Sequence, residues 1–152
     1  MSIRIIAIGK KHETWVSEGI SRYQERLKKP FMVEWVFLPH SSNDGLKARQ
    51  DESGRILNRL NDDDFVVLLD ERGQNVDSIE LSKLLKLPLD KSKSVVIVIG
   101  GAYGVDDNLT DRANFVWSLS NLVFPHQLVR LILVEQIYRV QEIAANRPYH
   151  HA

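Results

Sequence analysis

A run of Leu, Ile and Val from Leu128 to Val140 is broken by Arg130, Glu135, Gln136, Tyr138 and Arg139, and it is preceded by Pro125-His126-Gln127. Glu135 and Arg139 stand four apart, in the order that favours an ion pair along a helix. A guanidinium held in that way can stabilise developing negative charge. Pro125 suits the first turn of a helix. His126 and Gln127 would then lie beside unpaired N–H groups that favour a phosphate or a carboxylate. The chain closes on Arg147-Pro148-Tyr149-His150-His151-Ala152. An arginine, a phenol and two imidazoles can bind phosphate, stack on a base or move a proton. Each feature also has a plainer use: a structural ion pair, a satisfied buried histidine, or a frayed terminus.

A second group of candidates is built from backbone. Gly100-Gly101-Ala102-Tyr103-Gly104 follows an apolar strand directly, and glycine lets a ligand approach the main chain closely. No Gly-Lys-Ser/Thr follows, so this is no phosphate-binding loop of the Walker type. The spacing is also wrong for a dinucleotide fingerprint, and the first strand–helix turn has only Gly9. Asp70 closes the apolar run 65–69, and Ser118 to Pro125 leads from a short strand into the last helix.

Those residues need a frame. The apolar runs at 3–8, 31–38, 65–69, 94–99 and 115–117 read as strands. Helical spacing predicts helices over 14–29, 46–60, after Asp77, over 106–114 and over 126–146. Asp77-Ser78-Ile79-Glu80 has the form of a capping box with Asp in the first place. Strand and helix alternate, which predicts a single α/β domain spanning 1–152 with a mostly parallel sheet and helices on both faces. Ligands in such sheets sit beyond the carboxyl ends of the strands, so Asp70, the glycine loop and Ser118–Pro125 should converge. The last helix is apolar nearly all round, which implies cover on both sides and points to a symmetric homodimer.

Bulk properties narrow the classes. With no cysteine, a disulfide frame, a thiolate metal site and a cysteine nucleophile are excluded, and a cytoplasmic setting is expected. No run is long enough for a membrane span, and no metal site is expected. Net charge is zero, but residues 1–60 hold eleven Lys/Arg against seven Asp/Glu. That half is the better candidate for touching phosphates, with Arg22, Arg26, Lys28 and Lys29 as its densest group, although such a group is more often a solvated helix face.

Taken in order, five stretches resemble one family. They are Leu68-Leu69-Asp70-Glu71-Arg72-Gly73, Val98 to Gly104, Ser118 to Arg130, Glu135 to Arg139, and Pro148-Tyr149-His150. The chain resembles ribosomal RNA large subunit methyltransferase H, a small SPOUT-class enzyme, over essentially its whole length. The resemblance implies a carboxyl-terminal trefoil knot, a homodimer and an S-adenosyl-L-methionine cofactor. It also implies methylation at N3 of a pseudouridine in 23S ribosomal RNA, with the assembled ribosome supplying part of the surface. Carried over residue by residue, the cofactor positions are Leu69, Asp70, Gly101, Gly104, Ser120, Asn121, Leu122, Val123, Phe124 and Pro125. The catalytic positions are Arg139, Tyr149 and His150, and His126 and Arg130 are substrate-binding candidates. The family pattern carries glycine where this chain has Asn146, and a basic residue where it has His151 and Ala152. A SPOUT enzyme with another RNA target, or a non-enzymatic dimeric RNA- or nucleotide-binding module, would share parts of this pattern.

Overall fold

Alternation of apolar side chains along the strands sets the two cores. The computed structural model describes residues 3–151, so the Ala152 ending noted above lies outside the described residues. Five strands alternate with five helices: β1 Ile3–Ile8, α1 Thr14–Gln24, β2 Val33–Leu38, α2 Gly45–Leu57, β3 Phe65–Gln74, α3 Ser78–Asp90, β4 Val95–Ile99, α4 Asp107–Arg112, β5 Phe115–Trp117 and α5 His126–Ala144. The strands form one parallel sheet in the order β2-β1-β4-β3-β5. Successive strand side chains point to opposite faces. Ile3, Ile5, Ala7, Val67, Val95, Ile97 and Ile99 therefore pack under α1, α3 and α5. Ile6, Ile8, Val66, Leu68, Val96 and Val98 meet Ile56 of α2 and Leu109 of α4 on the other face. Strands buried on both faces explain why β1 and β4 read as nearly unbroken apolar runs.

The alternating α/β domain, the parallel sheet and helices on both faces are as expected; several boundaries are not. The first helix ends at Gln24 rather than Lys29, because Arg26 and Leu27 are held by tighter turns, with N–H groups bonding to the carbonyls of Tyr23 and Gln24. The second strand begins at Val33, two residues after Phe31, whose ring is drawn into the core. The last helix stops at Ala144, and Asn146 turns the chain with φ of 57°, the left-handed geometry in which asparagine replaces glycine at least cost. Strand β3 continues past Asp70 to Gln74; its pairing with β5 shifts between Leu69 and Gln74, both of which face Trp117. Residues 70–73 thus form a bulge that re-aims Asp70 and Arg72. Gly73 is needed there: an added Cβ would lie 2.5 Å from the Val116 carbonyl oxygen.

The Asp77 carboxylate accepts from the Glu80 N–H at 2.7 Å, as its place in the capping box requires. On α5, Leu133, Val134, Ile137 and Val140 are fully buried, and α1 and α3 flank the helix on the same side of the sheet. Those neighbours account for much of the apolar girth of α5. Leu128, Val129 and Ile132 remain half-buried.

Candidate active site

The carboxyl ends of β3, β4 and β5 enclose a cavity of about 460 Å³. Leu69, Asp70, Gly101, Gly104, Ser120, Leu122, Val123 and Phe124 line it, so the three loops expected to converge do so. Asn121 and Pro125 belong to the same loop, but their side chains do not line the cavity. Leu122 and Val123 form an apolar lip and are 70% and 81% exposed.

Each wall has a local cause. Gly104 has φ of 78°, and its N–H bonds to the Gly101 carbonyl at 3.0 Å, closing a tight turn. Gly101 is glycine for a different reason: a Cβ there would collide with the Glu52 carboxylate, which is buried beneath it. Glu52 is in turn fixed by accepting from the Ser41 N–H at 2.9 Å. The last loop is shaped by serines. Ser118 Oγ donates to the Ser120 carbonyl at 2.9 Å, and Ser120 Oγ accepts from the Leu122 N–H at 3.0 Å. Asp70 accepts three hydrogen bonds from Arg72, at 2.9, 3.0 and 2.9 Å, and these hold its carboxyl below the usual carboxylate range.

Arg49 and Arg72 also line the cavity, with Tyr103 and Trp117, and sequence reasoning had assigned a role to none of them. Arg72 and Tyr103 sit inside the stretches singled out for other members, and Trp117 immediately precedes one of them. Arg49 lies on α2, far from those stretches in sequence, and nothing in its own segment marks it. It reaches the cavity because its Nε donates to the Tyr103 carbonyl at 2.9 Å, while Tyr103 Oη donates to Asp44 at 3.2 Å. Helix α2 thereby buttresses the glycine loop.

His126 and Arg130 lie behind this cavity and do not line it. His126 Nε2 donates to the Gly100 carbonyl at 3.1 Å, since a carbonyl can only accept. Burial, and then the Arg130 charge, lowers its pKa and keeps the ring neutral. Arg130 is 1% exposed. Its guanidinium donates to the Lys10 carbonyl at 2.9 Å and lies 5.2 Å from the Phe37 ring centroid. Both residues tie the start of α5 to the loops after β4 and β1. The placement is that of struts, and a surface contact with substrate would require Arg130 to leave its site.

Arg139, Tyr149 and His150 gather into one cluster at the far end of α5. Arg139 donates to both oxygens of Glu135, at 3.0 and 3.2 Å, and its Nη1 donates to His150 Nδ1 at 3.1 Å. Its guanidinium carbon stands 4.8 Å from the centroid of the Tyr149 ring, which meets the Tyr138 ring edge-on, also at 4.8 Å. The tail is therefore docked through residue 150. With Nδ1 accepting, the proton of neutral His150 is on Nε2. Burial raises the Tyr149 pKa, so its phenol stays protonated near neutrality. None of the three lines the cavity of its own chain. Among the described residues, no group of three or more His, Cys, Asp and Glu is arranged to hold a metal ion.

Fold and site together define a parallel α/β domain that presents a ligand-sized pocket at strand carboxyl ends, built mostly from main chain. A family model described as "Predicted SPOUT methyltransferase" matches residues 1–150. The chain is 39% identical to "Ribosomal RNA large subunit methyltransferase H" of Dictyoglomus thermophilum, over 99% of this chain and 100% of that one. It is likewise 39% identical to the protein of that name from Acetivibrio thermocellus, over 99% of each. A "Putative ribosomal RNA large subunit methyltransferase H" of Methanoregula boonei is 40% identical, again over 99% of each. The chain belongs to the ribosomal RNA large subunit methyltransferase H family of SPOUT methyltransferases.

Proposed function

We propose that this protein transfers a methyl group from S-adenosyl-L-methionine to N3 of a pseudouridine in 23S ribosomal RNA, acting as a homodimer in the cytoplasm on the assembled ribosome. The names of its relatives support the ribosomal target. The observation that carries the chemistry is the cluster of Arg139, Tyr149 and His150, which offers N–H donors toward a developing anion.

The cavity suits the cofactor. Leu69, Ile99, Trp117 and Val129 offer apolar surface to an adenine ring, and the Gly101–Gly104 and Ser120–Phe124 segments offer main-chain donors and acceptors. Its volume of about 460 Å³ lies within the range of cofactor sites. When bound, the cofactor supplies an electrophilic methyl carbon on a sulfonium. This chain's residues must orient the base for in-line attack and favour the N3 anion. Arg139 is pre-set by Glu135 and presents positive charge. His150 presents Nε2–H, because Nδ1 is engaged by Arg139. A histidine held in this way directs an N–H donor outward, away from Arg139. Tyr149 has its pKa raised and cannot serve as a phenolate near neutrality. In this reading the N3 proton leaves to water, while Arg139 and His150 hold the charge that remains.

The separation of this cluster from its own chain's cavity supports the dimer. A second copy would bring its tail to the first chain's pocket, with the half-buried face of α5 and the Leu122–Val123 lip as contact surface. The trefoil threading of the carboxyl-terminal segment belongs to the same reading. Two measurements test the whole. Calorimetry should detect S-adenosyl-L-methionine binding, and its absence at millimolar ligand would remove the enzyme reading. Mass spectrometry of ribosomal RNA from a strain lacking the protein should show loss of N3-methylpseudouridine, and persistence of that nucleoside would remove the substrate assignment.

A further inference from the structure

The catalytic tail has a basic neighbour that the reaction does not use. Residues 26–31 turn between α1 and β2 and pass the end of α5. A cavity of about 260 Å³ separates the two, lined by Lys28, Lys29, Phe31, Gln141, Ala144 and Arg147 among others. Three cations converge on it, and no carboxylate lines it. Among the described residues no ion pair involves Lys28 or Lys29; Arg147 is paired with Glu142, at 2.8 Å.

The turn that displays the lysines is fixed in place. Gln141 is buried, its Oε1 accepts from the Lys28 N–H at 2.7 Å, and its Nε2 donates to the Arg26 carbonyl at 3.1 Å. Phe31 is drawn into the core below, and its N–H bonds to the Lys28 carbonyl at 2.7 Å. On the opposite side the chain reverses at Asn146, where the Arg147 N–H bonds to the Glu142 carbonyl at 2.9 Å. Both walls are therefore fixed by hydrogen bonds to their main chain, those of the first wall partly from the Gln141 side chain. Arg147 stands two residues before Tyr149, so the cavity adjoins the cluster proposed to face the target base.

We infer that this cavity is a phosphodiester-binding site, in which Lys28, Lys29 and Arg147 hold the backbone of the RNA strand beside the methylated nucleotide. The inference rests on the ribosomal RNA reading above. A chain of zero net charge has no global field to draw RNA, so affinity must come from local groups of cations such as this one, in which Lys28 and Lys29 carry no ion pair among the described residues. Arg22, on the last turn of α1, and Arg26, just beyond it, are exposed and extend the same surface. The competing use of these cations is to offset the carbonyl end of α5.

The two uses separate in one experiment. Fluorescently labelled protein is titrated with ribosomes from a strain lacking this enzyme, at several salt concentrations. Each phosphate contact on single-stranded RNA contributes about 0.7 to the slope of log affinity against log salt. The double variant Lys28→Gln/Lys29→Gln should lower that slope by about 1.4, while keeping its melting temperature and its affinity for S-adenosyl-L-methionine. Lys28→Arg/Lys29→Arg should restore the slope. A wild-type slope in the glutamine variant overturns the site alone, and more firmly so if its melting temperature falls, which is the signature of the helix-end role. If the unaltered protein shows no salt-dependent binding to these ribosomes, the ribosomal reading itself falls and the site with it.

Discussion

Arg139→Ala separates the chemistry from the pocket. The side chain makes two hydrogen bonds to Glu135 at 3.0 and 3.2 Å and stacks on Tyr149, and the side chains of Arg139 and Glu135 are 25% and 18% exposed. A pair with about a fifth of its side-chain surface in water is only partly screened, so its removal should cost about 1–2 kcal/mol, the upper part reflecting the half-buried Glu135 left without a partner. For a chain of this size that lowers the melting temperature by about 2–8 °C. Against a typical stability of about 5–15 kcal/mol, the variant remains folded at 25 °C, so lost activity cannot be lost protein. Removing one donor to a developing anion costs about 10²–10³ in rate. Single-turnover transfer of labelled methyl to ribosomes lacking the modification should fall by that factor. The cofactor dissociation constant, measured by calorimetry, should stay within about twofold, because Arg139 does not line the cavity. Arg139→Lys should recover little, since an ammonium cannot bridge both Glu135 oxygens, reach His150 and lie on Tyr149 together. An equal loss of cofactor affinity and rate would refute the reasoning and make Arg139 a structural residue.

Further consequences concern the pocket, the dimer and pH. Gly101→Ala forces a methyl group against the buried Glu52 carboxylate, and cofactor affinity should fall by about tenfold or more, as calorimetry would show. Gly73→Ala meets backbone at Val116 and should destabilise the fold by about 1–3 kcal/mol, read by denaturant unfolding. If the tail of one chain serves the pocket of its partner, mixing Arg139→Ala with Gly101→Ala and allowing subunits to exchange should restore about a quarter of wild-type activity, whereas sites completed within one chain stay inactive. Sedimentation at micromolar concentration should show the dimer directly, and a clean monomer contradicts that account. Burial, then the Arg130 charge, lowers the His12 pKa from 6.5 to about 4. Between those values the unfolded chain binds a proton that the folded chain refuses, so this part of the stability is complete above pH 6.5 and is lost as pH falls toward 4. Urea midpoints of His12→Asn should lose that part of the slope between pH 6.5 and 4.

The sequence by itself determined the frame, the convergence of three loops at the strand carboxyl ends, and the Glu135–Arg139 pair. Apolar β-branched runs separated by amphipathic segments specify a parallel sheet under helices, because only strands buried on both faces can be apolar at every position, as β4 is. Glu135 and Arg139 declared their pairing through helical spacing, and Asp77 and Asn146 declared their turns through what their short side chains can bond or tolerate. Local chemistry stopped short where the partners are distant in the chain. Nothing near Arg49 reveals that it reaches the Tyr103 carbonyl, and nothing near Gly101 reveals that Glu52 lies beneath it. The bulge at 70–73 arises from pairing with β5, which no property of β3 alone encodes. His126 and Arg130, substrate-binding candidates by resemblance, are instead tied to main-chain carbonyls, because the sheet order β2-β1-β4-β3-β5 sets the loops after β1 and β4 against α5 and buries Arg130. Secondary structure follows from interactions a few residues long. The pocket, its struts and the basic cavity beside the tail depend on contacts across the sheet, which exist only once the strand order is fixed.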